Sequence, residues 1–346
     1  MSLLDELLRR FPRLKKLPPP AYVVGGAVRD LVRGAEPDDA DVATLDPHAA
    51  AATIGRKIIA LGGTEDLRAY RVVEGETMYD FADILGRDID VDLARRDFTI
   101  NAMAVDLANG ALLDPHGGRR DLAERKVRMI RASNFDDDPL RMVKGVRMAV
   151  RLDFDFDAET LDAIRSRAAQ ILTVAPERVT AELALIFSAD RFARAVALLR
   201  ETGLDVPLRL DTRDFPVDDV SYAGALALLV ADPKAYAEQW RWSDSLRRDV
   251  LALQRLLESH APIDLYDAGA TIARQLPAVQ RALGREPVAI DEQLFTIEPL
   301  LTGNEIAALL GIAPGPRVGV VKRALVEAQV RGEVTTREAA EQFVRR

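Results

Sequence analysis

Apolar and polar residues alternate in short bursts over the first third of the chain, then settle into a three- and four-residue rhythm that persists to the end. Short β-branched and aromatic runs at residues 22–24, 39–44, 71–73, 77–82 and 99–107 predict strands. The Leu-rich stretch 1–16, closed by Pro18-Pro19-Pro20, predicts an amphipathic helix, and helices are also expected at 49–61 and 118–124. Beyond Asp136 strand signals vanish. Helical spacing runs through 140–152, 158–172 and 177–199, an Asp- and Pro-rich loop is expected from Pro207 to Pro216, and helices resume over 220–346. The expected fold class is α+β: a small mixed-sheet head (1–131), then an all-α remainder divided into a neck (132–205) and a body and tail (206–346).

Composition narrows the chemistry. A chain of 346 residues exceeds one domain of ~100–200 residues. With 48% hydrophobic and 29% charged residues it reads as globular. The longest apolar stretch, near 223–231, falls well short of the ~20 residues that span a bilayer, and the charged N-terminus is unlike a signal peptide. A cytoplasmic protein with no membrane partner is expected. The absence of cysteine excludes disulfides, thiol nucleophiles and Cys-ligated metals, and three scattered histidines (His48, His116, His260) give little support to a His-based site. A net charge of −8 weighs against nonspecific coating of nucleic acid. Residues 119–151 nevertheless hold ten Lys or Arg against five Asp or Glu, which fits a local basic groove as well as a solvated helix face.

The most informative stretch is AYVVGGAVRDLVRGAEPDDADVAT. A strand runs into Gly25-Gly26 and then a helical segment, a turn that lets backbone N–H groups approach a phosphate. Asp39 and Asp41 share one face of the next strand. Two like charges about 7 Å apart on a strand are costly without a cation between them, and Mg²⁺, a hard ion that binds oxygen, is the natural occupant. A bare D-x-D would otherwise read as an acidic surface loop. A third carboxylate, Asp80 in MYDFADI, adds weight as a further ligand from a neighbouring strand, with Asp83 near enough to compete for the role. Three such groups suit a two-metal phosphoryl transfer.

These motifs resemble the opening of the class II tRNA nucleotidyltransferase/poly(A) polymerase family. LARRDFTINAMA (93–104) is similar to the family's ribose-recognition motif, and LLDPHGGRRDL (112–122) to its head-to-neck connection. DDDPLRMVKGVRMAVRL (136–152) resembles the base-selecting helix, APERVTAEL (175–183) the neck motif bracing it, and LLTGNEIAALLGIAPGPRVG (300–319) a bacterial body segment. Residues 205–295 carry no specific resemblance. The resemblance implies a polymerase-beta-like head and template-independent addition of C, C and A to tRNA 3′ ends from CTP and ATP. In that reading Asp39 and Asp41 are catalytic and bind Mg²⁺. Gly25, Gly26, Arg29 and Arg96 cradle the triphosphate, although Arg29 and Asp30 could instead pair with each other. Asp97 and Asn101 contact the ribose, Asp138 and Arg141 the base, and Arg147 and Arg178 complete the nucleotide-binding set, with Arg178 and Glu182 orienting the base-selecting helix.

The chemistry of these residues agrees. Arg95 and Arg96 suit phosphate, while Asp97 and Asn101 offer acceptors to the 2′-hydroxyl that distinguishes NTP from dNTP. Asp138 and Arg141, at i,i+3, would share a helix face. A carboxylate accepting from an exocyclic amine beside a guanidinium donating to a ring nitrogen fits C and A, whereas U and G would leave polar groups unpaired. Two departures stand out: Asp137 replaces the usual Glu, and the interval from Asp41 to Arg95 is compact. The short interval keeps a CC-adding enzyme open. A poly(A) polymerase, built on the same site, and an inactive RNA-binding relative stay open as well.

Overall fold

A computed structural model describes residues 2–64 and 67–346. The chain divides into two compact units, residues 1–186 with 198–208, and residues 187–197 with 209–346.

The first unit opens with helix α1 (Leu3–Arg10), capped by Ser2 and Asp5 in a reciprocal box. The helix expected over 1–16 breaks at Phe11, whose non-helical backbone (φ −124°, ψ 69°) precedes Pro12, and resumes only as a 3-10 turn. Strands β1 (Ala21–Val24) and β2 (Asp39–Thr44) flank α2 (Gly26–Val32). Helix α3 (Pro47–Ile54) is shorter than the expected 49–61. It stops at extended Gly55, and the following segment becomes strand β3 (Ile58–Thr64). Strand β4 (Leu67–Glu74) extends the short strand expected at 71–73, and β5 (Thr77–Asp83) matches its alternation. Of the strand expected over 99–107, only β6 (Ala104–Asp106) forms, because Thr99–Asn101 closes into a 3-10 turn whose Ala102 N–H returns to the Thr99 carbonyl. With β7 (Leu112–Leu113), these make a seven-stranded sheet in the order β3-β4-β5-β2-β1-β6-β7, antiparallel except for β2 beside β5.

One sheet face buries Val42, Val72, Tyr79 and Phe81, with Phe11 packed edge-on to Tyr79 at 5.9 Å. The other presents the acidic residues of β2 at its centre. Helix α4 (Ile89–Ala94) and α5 (Gly118–Ala123) lead to β8 (Lys126–Val127), α6 (Ser133–Asp137) and α7 (Leu140–Leu152). A second, two-stranded parallel sheet joins β8 to β9 (Asp155–Phe156), a small departure from the all-helical expectation past Asp136. Helix α8 (Ala158–Arg167) follows. The helix expected over 177–199 is two, α9 (Pro176–Phe187) and α10 (Phe192–Glu201). A fully buried Asp121 ties these layers together: Thr99 Oγ1 donates to it at 2.7 Å and Arg128 Nε at 3.2 Å, while Arg128 also reaches Asp157 at 2.8 Å.

The second unit is helical. Tyr222–Leu229, Pro233–Gln239 and Asp244–Glu258 pack around Tyr236 and Trp240, and Gly303–Leu310, Pro316–Val330 and Arg337–Arg345 around Leu301, Ile306, Leu325 and Val344. Ser221, Ser243, Thr302 and Thr336 each cap a helix N-terminus through the side-chain oxygen. Among the described residues no helix is long and apolar enough to cross a membrane.

Gly118 fits where no other residue can, since a Cβ there would lie 2.4 Å from the Thr99 carbonyl oxygen and 3.0 Å from Met103 Cγ. Gly118→Ala should therefore cost about 1–3 kcal/mol of folding free energy, the range for overpacking a tight contact. Urea denaturation reads this as a lower midpoint with an unchanged slope.

Candidate active site

Strand alternation puts Asp39 and Asp41 on the same face of β2. The register places Asp80 beside Asp41, Met78 beside Asp39, and Arg71 beside Asp80, so one row across the sheet reads Asp41, Asp80, Arg71. Arg71 grips Asp80 with two parallel contacts, Nε to Oδ1 at 2.7 Å and Nη2 to Oδ2 at 2.6 Å. Asp83 points to the opposite face and pairs with Arg68 at 3.0 Å, so it does not compete with Asp80. Burial, then the charge of Asp39, push the Asp41 carboxyl up to about 6, while Arg96 pulls it the other way. Burial, Asp80 and Asp38 raise Asp39 as well.

Among the described residues no three acidic or histidine side chains converge as a ready-made metal cage. The β2 pair still suits a divalent ion: it offers hard carboxylate oxygens, its charges are crowded on one strand face, and such an ion completes its shell with water and substrate phosphate. Asp80 already meets Arg71 through both of its oxygens.

Next to the carboxylates, Gly25 adopts φ 72° and ψ −131° at the start of α2, a conformation open to glycine. A Cβ there would sit 3.2 Å from both Arg96 Nη1 and Asp41 Oδ2. The bare backbone thus lets a guanidinium and a carboxylate crowd the turn. Arg96 Nη2 donates to Asp92 at 3.2 Å, while its buried Nε has no partner. Arg29 does pair with Asp30, at 2.8 and 3.0 Å, and its Nη1 donates to Asn101 Oδ1 at 2.9 Å. Asn101 in turn donates through Nδ2 to Asp97 Oδ1 at 3.1 Å, and the Phe98 N–H donates to the same oxygen at 2.8 Å. The amide of Asn101 is therefore fixed in one orientation, with its oxygen spent on Arg29.

Asp138 and Arg141 do not share a helix face as expected. The residue before a proline is pushed out of the helical region, and Asp138 is extended (φ −147°, ψ 95°) ahead of Pro139, with α7 beginning at Leu140. Asp138 instead caps the first turn: its carbonyl accepts the Arg141 N–H at 3.0 Å and its Oδ1 accepts the Leu140 N–H at 3.3 Å. Arg178 Nη2 donates to Asp138 Oδ2 at 3.0 Å. Arg147 and Glu182 meet at 2.8 Å as a charge contact without hydrogen-bond geometry.

Sequence reading missed Asn134, which is fully buried. Its Nδ2 donates to the carbonyls of Ala94 (3.1 Å) and Arg96 (2.7 Å), and its Oδ1 accepts from Arg131 Nε at 2.6 Å. Arg141 Nη1 donates to the carbonyls of Arg95 (2.7 Å) and Asn134 (3.2 Å). Arg95 thus contributes its main chain to the site. Its sequence setting, RASNFDDD, is mostly polar and gave no signal of this buried role. Gly25, Gly26, Arg29, Asp39, Asp41, Arg96, Asp97, Asn101, Asp138, Arg141 and Arg147 all border one cleft of about 540 Å³, joined by Lys144, Met148 and Arg151.

Comparison with known proteins gives this cleft a family. Residues 21–84 and 67–128 match the Poly A polymerase head domain, and residues 153–208 a "Probable RNA and SrmB- binding site of polymerase A". An A-adding tRNA nucleotidyltransferase of Deinococcus radiodurans is 32% identical over 98% of this chain and 98% of its own. The chain belongs to the tRNA nucleotidyltransferase family. A CCA-adding enzyme of Streptococcus pyogenes is 27% identical over 100% of this chain and 98% of the relative. The crystal structure of the Bacillus stearothermophilus CCA-adding enzyme in complex with CTP superposes with a TM-score of 0.79 at 27% identity, covering 99% of this chain and 97% of that one. The expected polymerase-type mixed-sheet head followed by helices holds for this tRNA nucleotidyltransferase. Membership implies dependence on a divalent metal ion.

The raised Asp41 carboxyl gives a signed prediction. An unfolded aspartate releases its proton near 3.8, whereas Asp41 in the fold holds it to about 6. The native state therefore binds the extra proton, and stability falls as pH rises through this window. Metal-free protein should show a declining urea midpoint from about pH 4 to about pH 7, and Asp41→Asn should flatten that decline. Divalent-ion affinity, measured by calorimetry, should rise over the same interval.

Proposed function

We propose that this tRNA nucleotidyltransferase extends tRNA 3′ ends by C, C and A without a nucleic-acid template, consuming CTP and ATP and releasing pyrophosphate. The observation that carries the reading is the meeting, in one cleft, of the β2 carboxylates, Arg96 beside the Gly25 turn, and Asp138 with Arg141. Asp39 and Asp41 hold the divalent ion, Mg²⁺ in this reading, which when bound supplies Lewis-acid stabilisation of charge on the transferred phosphoryl group. Arg96, with an unspent buried N–H, binds the triphosphate. Asp97, held by Asn101 and the Phe98 N–H, accepts the ribose 2′-hydroxyl. Arg29 serves this group by fixing Asn101. Asp138 accepts from the exocyclic amine of C or A while Arg141 donates to the adjoining ring nitrogen. Arg178 and the Arg147–Glu182 pair keep these readers in place.

The division into a catalytic head (1–131), neck (132–205) and body and tail (206–346) belongs to the same proposal, with the body holding the tRNA by shape and phosphate contacts. A cytoplasmic site of action follows from substrates that are tRNA and free nucleoside triphosphates. A second reading, addition of A alone, is favoured by the 32% identity to an A-adding enzyme.

The test offers purified protein tRNA transcripts ending before, within and after the CCA, each with one labelled nucleotide. Stepwise growth by C, C and A is expected. Growth only by A on a CC end selects the second reading, C and C without A selects a CC-adding enzyme, and long oligo(A) a polymerase. Asp39→Asn should lower transfer at least about a hundredfold, the scale of losing one preorganised electrostatic group, with a melting temperature no lower than that of the wild type because a repelling charge is removed. Retained transfer would remove Asp39 from the metal site.

A further inference from the structure

The catalytic face of the sheet does not end at the carboxylates. The row at the level of Asp39 continues through Met78 on β5 to Val73 on β4, and Ile59 on β3 stands beside Arg71 in the next row. All three are large apolar residues left in contact with solvent, at 37%, 47% and 40% exposure. Alternation fixes them on the same face as Asp39 and Asp41. The Arg71–Asp80 fork lies among them and neutralises a charge that would otherwise repel RNA.

Sheet order gives this strip a direction. β2 lies between β1 and β5. On its β1 side are the Gly25 turn and Arg96, the groups assigned to the triphosphate. Phosphoryl transfer places attacking and leaving oxygens on opposite sides of phosphorus. Pyrophosphate departing on the β1 side therefore requires the attacking hydroxyl to arrive from the β5 side, over Met78 and Val73.

We propose that Met78, Val73 and Ile59 form a platform for the 3′-terminal nucleoside of the RNA acceptor, whose base lies against these side chains and so brings its 3′-hydroxyl to Asp39. The inference rests on the proposed nucleotidyl transfer and adds the acceptor's own contact to it. A flat nucleobase covers such a strip without sequence-specific hydrogen bonds. Methionine's polarisable thioether adapts to successive bases, which suits an acceptor whose last nucleotide changes with each addition. Among the described residues, the platform continues the catalytic face and needs no other element to complete it.

The test uses the full chain and an RNA minihelix lacking the added nucleotides. Val73→Thr with Met78→Gln keeps side-chain size and strand propensity at exposed positions, so the melting temperature should stay that of the wild type. The KM for RNA should rise about tenfold, the scale of one lost base-stacking contact, while the KM for CTP stays unchanged. A minihelix lacking the base of its terminal nucleotide should bind the wild type about tenfold more weakly and the double variant no more weakly than the intact RNA. Unchanged RNA affinity in the variant, or a parallel rise in the KM for CTP, overturns the platform while leaving nucleotidyl transfer standing. A wild type that binds RNA but transfers nothing removes the proposed function and the platform together.

Discussion

Two carboxylates on one face of β2, crowded by a third on β5, repel one another in a half-buried setting, and much of the first unit is arranged around that repulsion. Arg71 cancels Asp80, and Arg96 leans toward Asp41 across a turn without a side chain. What stays only partly compensated is the Asp39–Asp41 pair, whose carboxyls are both raised. In the proposed reading a divalent ion from solution supplies the missing positive charge. The parallel pairing of β2 with β5, the one such pair in an otherwise antiparallel sheet, is what brings Asp80 and Arg71 level with Asp41.

How much of this was legible follows from the kind of signal each feature leaves. β2 and β5 were readable because polar and apolar residues alternate in them, so the period of two survives in the sequence, and β1 because the β-favouring run Tyr22-Val23-Val24 precedes a glycine turn. β3 was not, since IIALGGT follows an Ala-rich helix and carries no alternation of its own. The shared face of the acidic pair was readable from spacing, because alternation is obligatory in a strand, while its proposed role needed the third carboxylate and the family motifs beside it. The i,i+3 spacing of Asp138 and Arg141 misleads because Pro139 disfavours the helical conformation at Asp138, which is extended. Asn134 left almost no trace, because its work is done on main-chain carbonyls supplied by distant residues.

The supports behind the cleft share a style. Asp121, fully buried, joins the turn at Thr99 to Arg128 and through it to Asp157. Asn134 joins the segment 94–96 to α6, and Asp138 starts α7. Each is a satisfied polar link between the sheet and the helices after it, and such links fix position where apolar packing alone tolerates slippage. Arg29 and Asn101 do the same for Asp97 by fixing the amide's orientation.

Arg141 takes its bearings from the peptide oxygens of Arg95 and Asn134. A peptide oxygen persists through a side-chain substitution, so the anchor that position 95 offers Arg141 does not depend on which side chain stands there. Alanine scanning at Arg95 is blind to that anchor, and replacing the 95–96 amide by an ester would weaken the carbonyl as an acceptor and expose it.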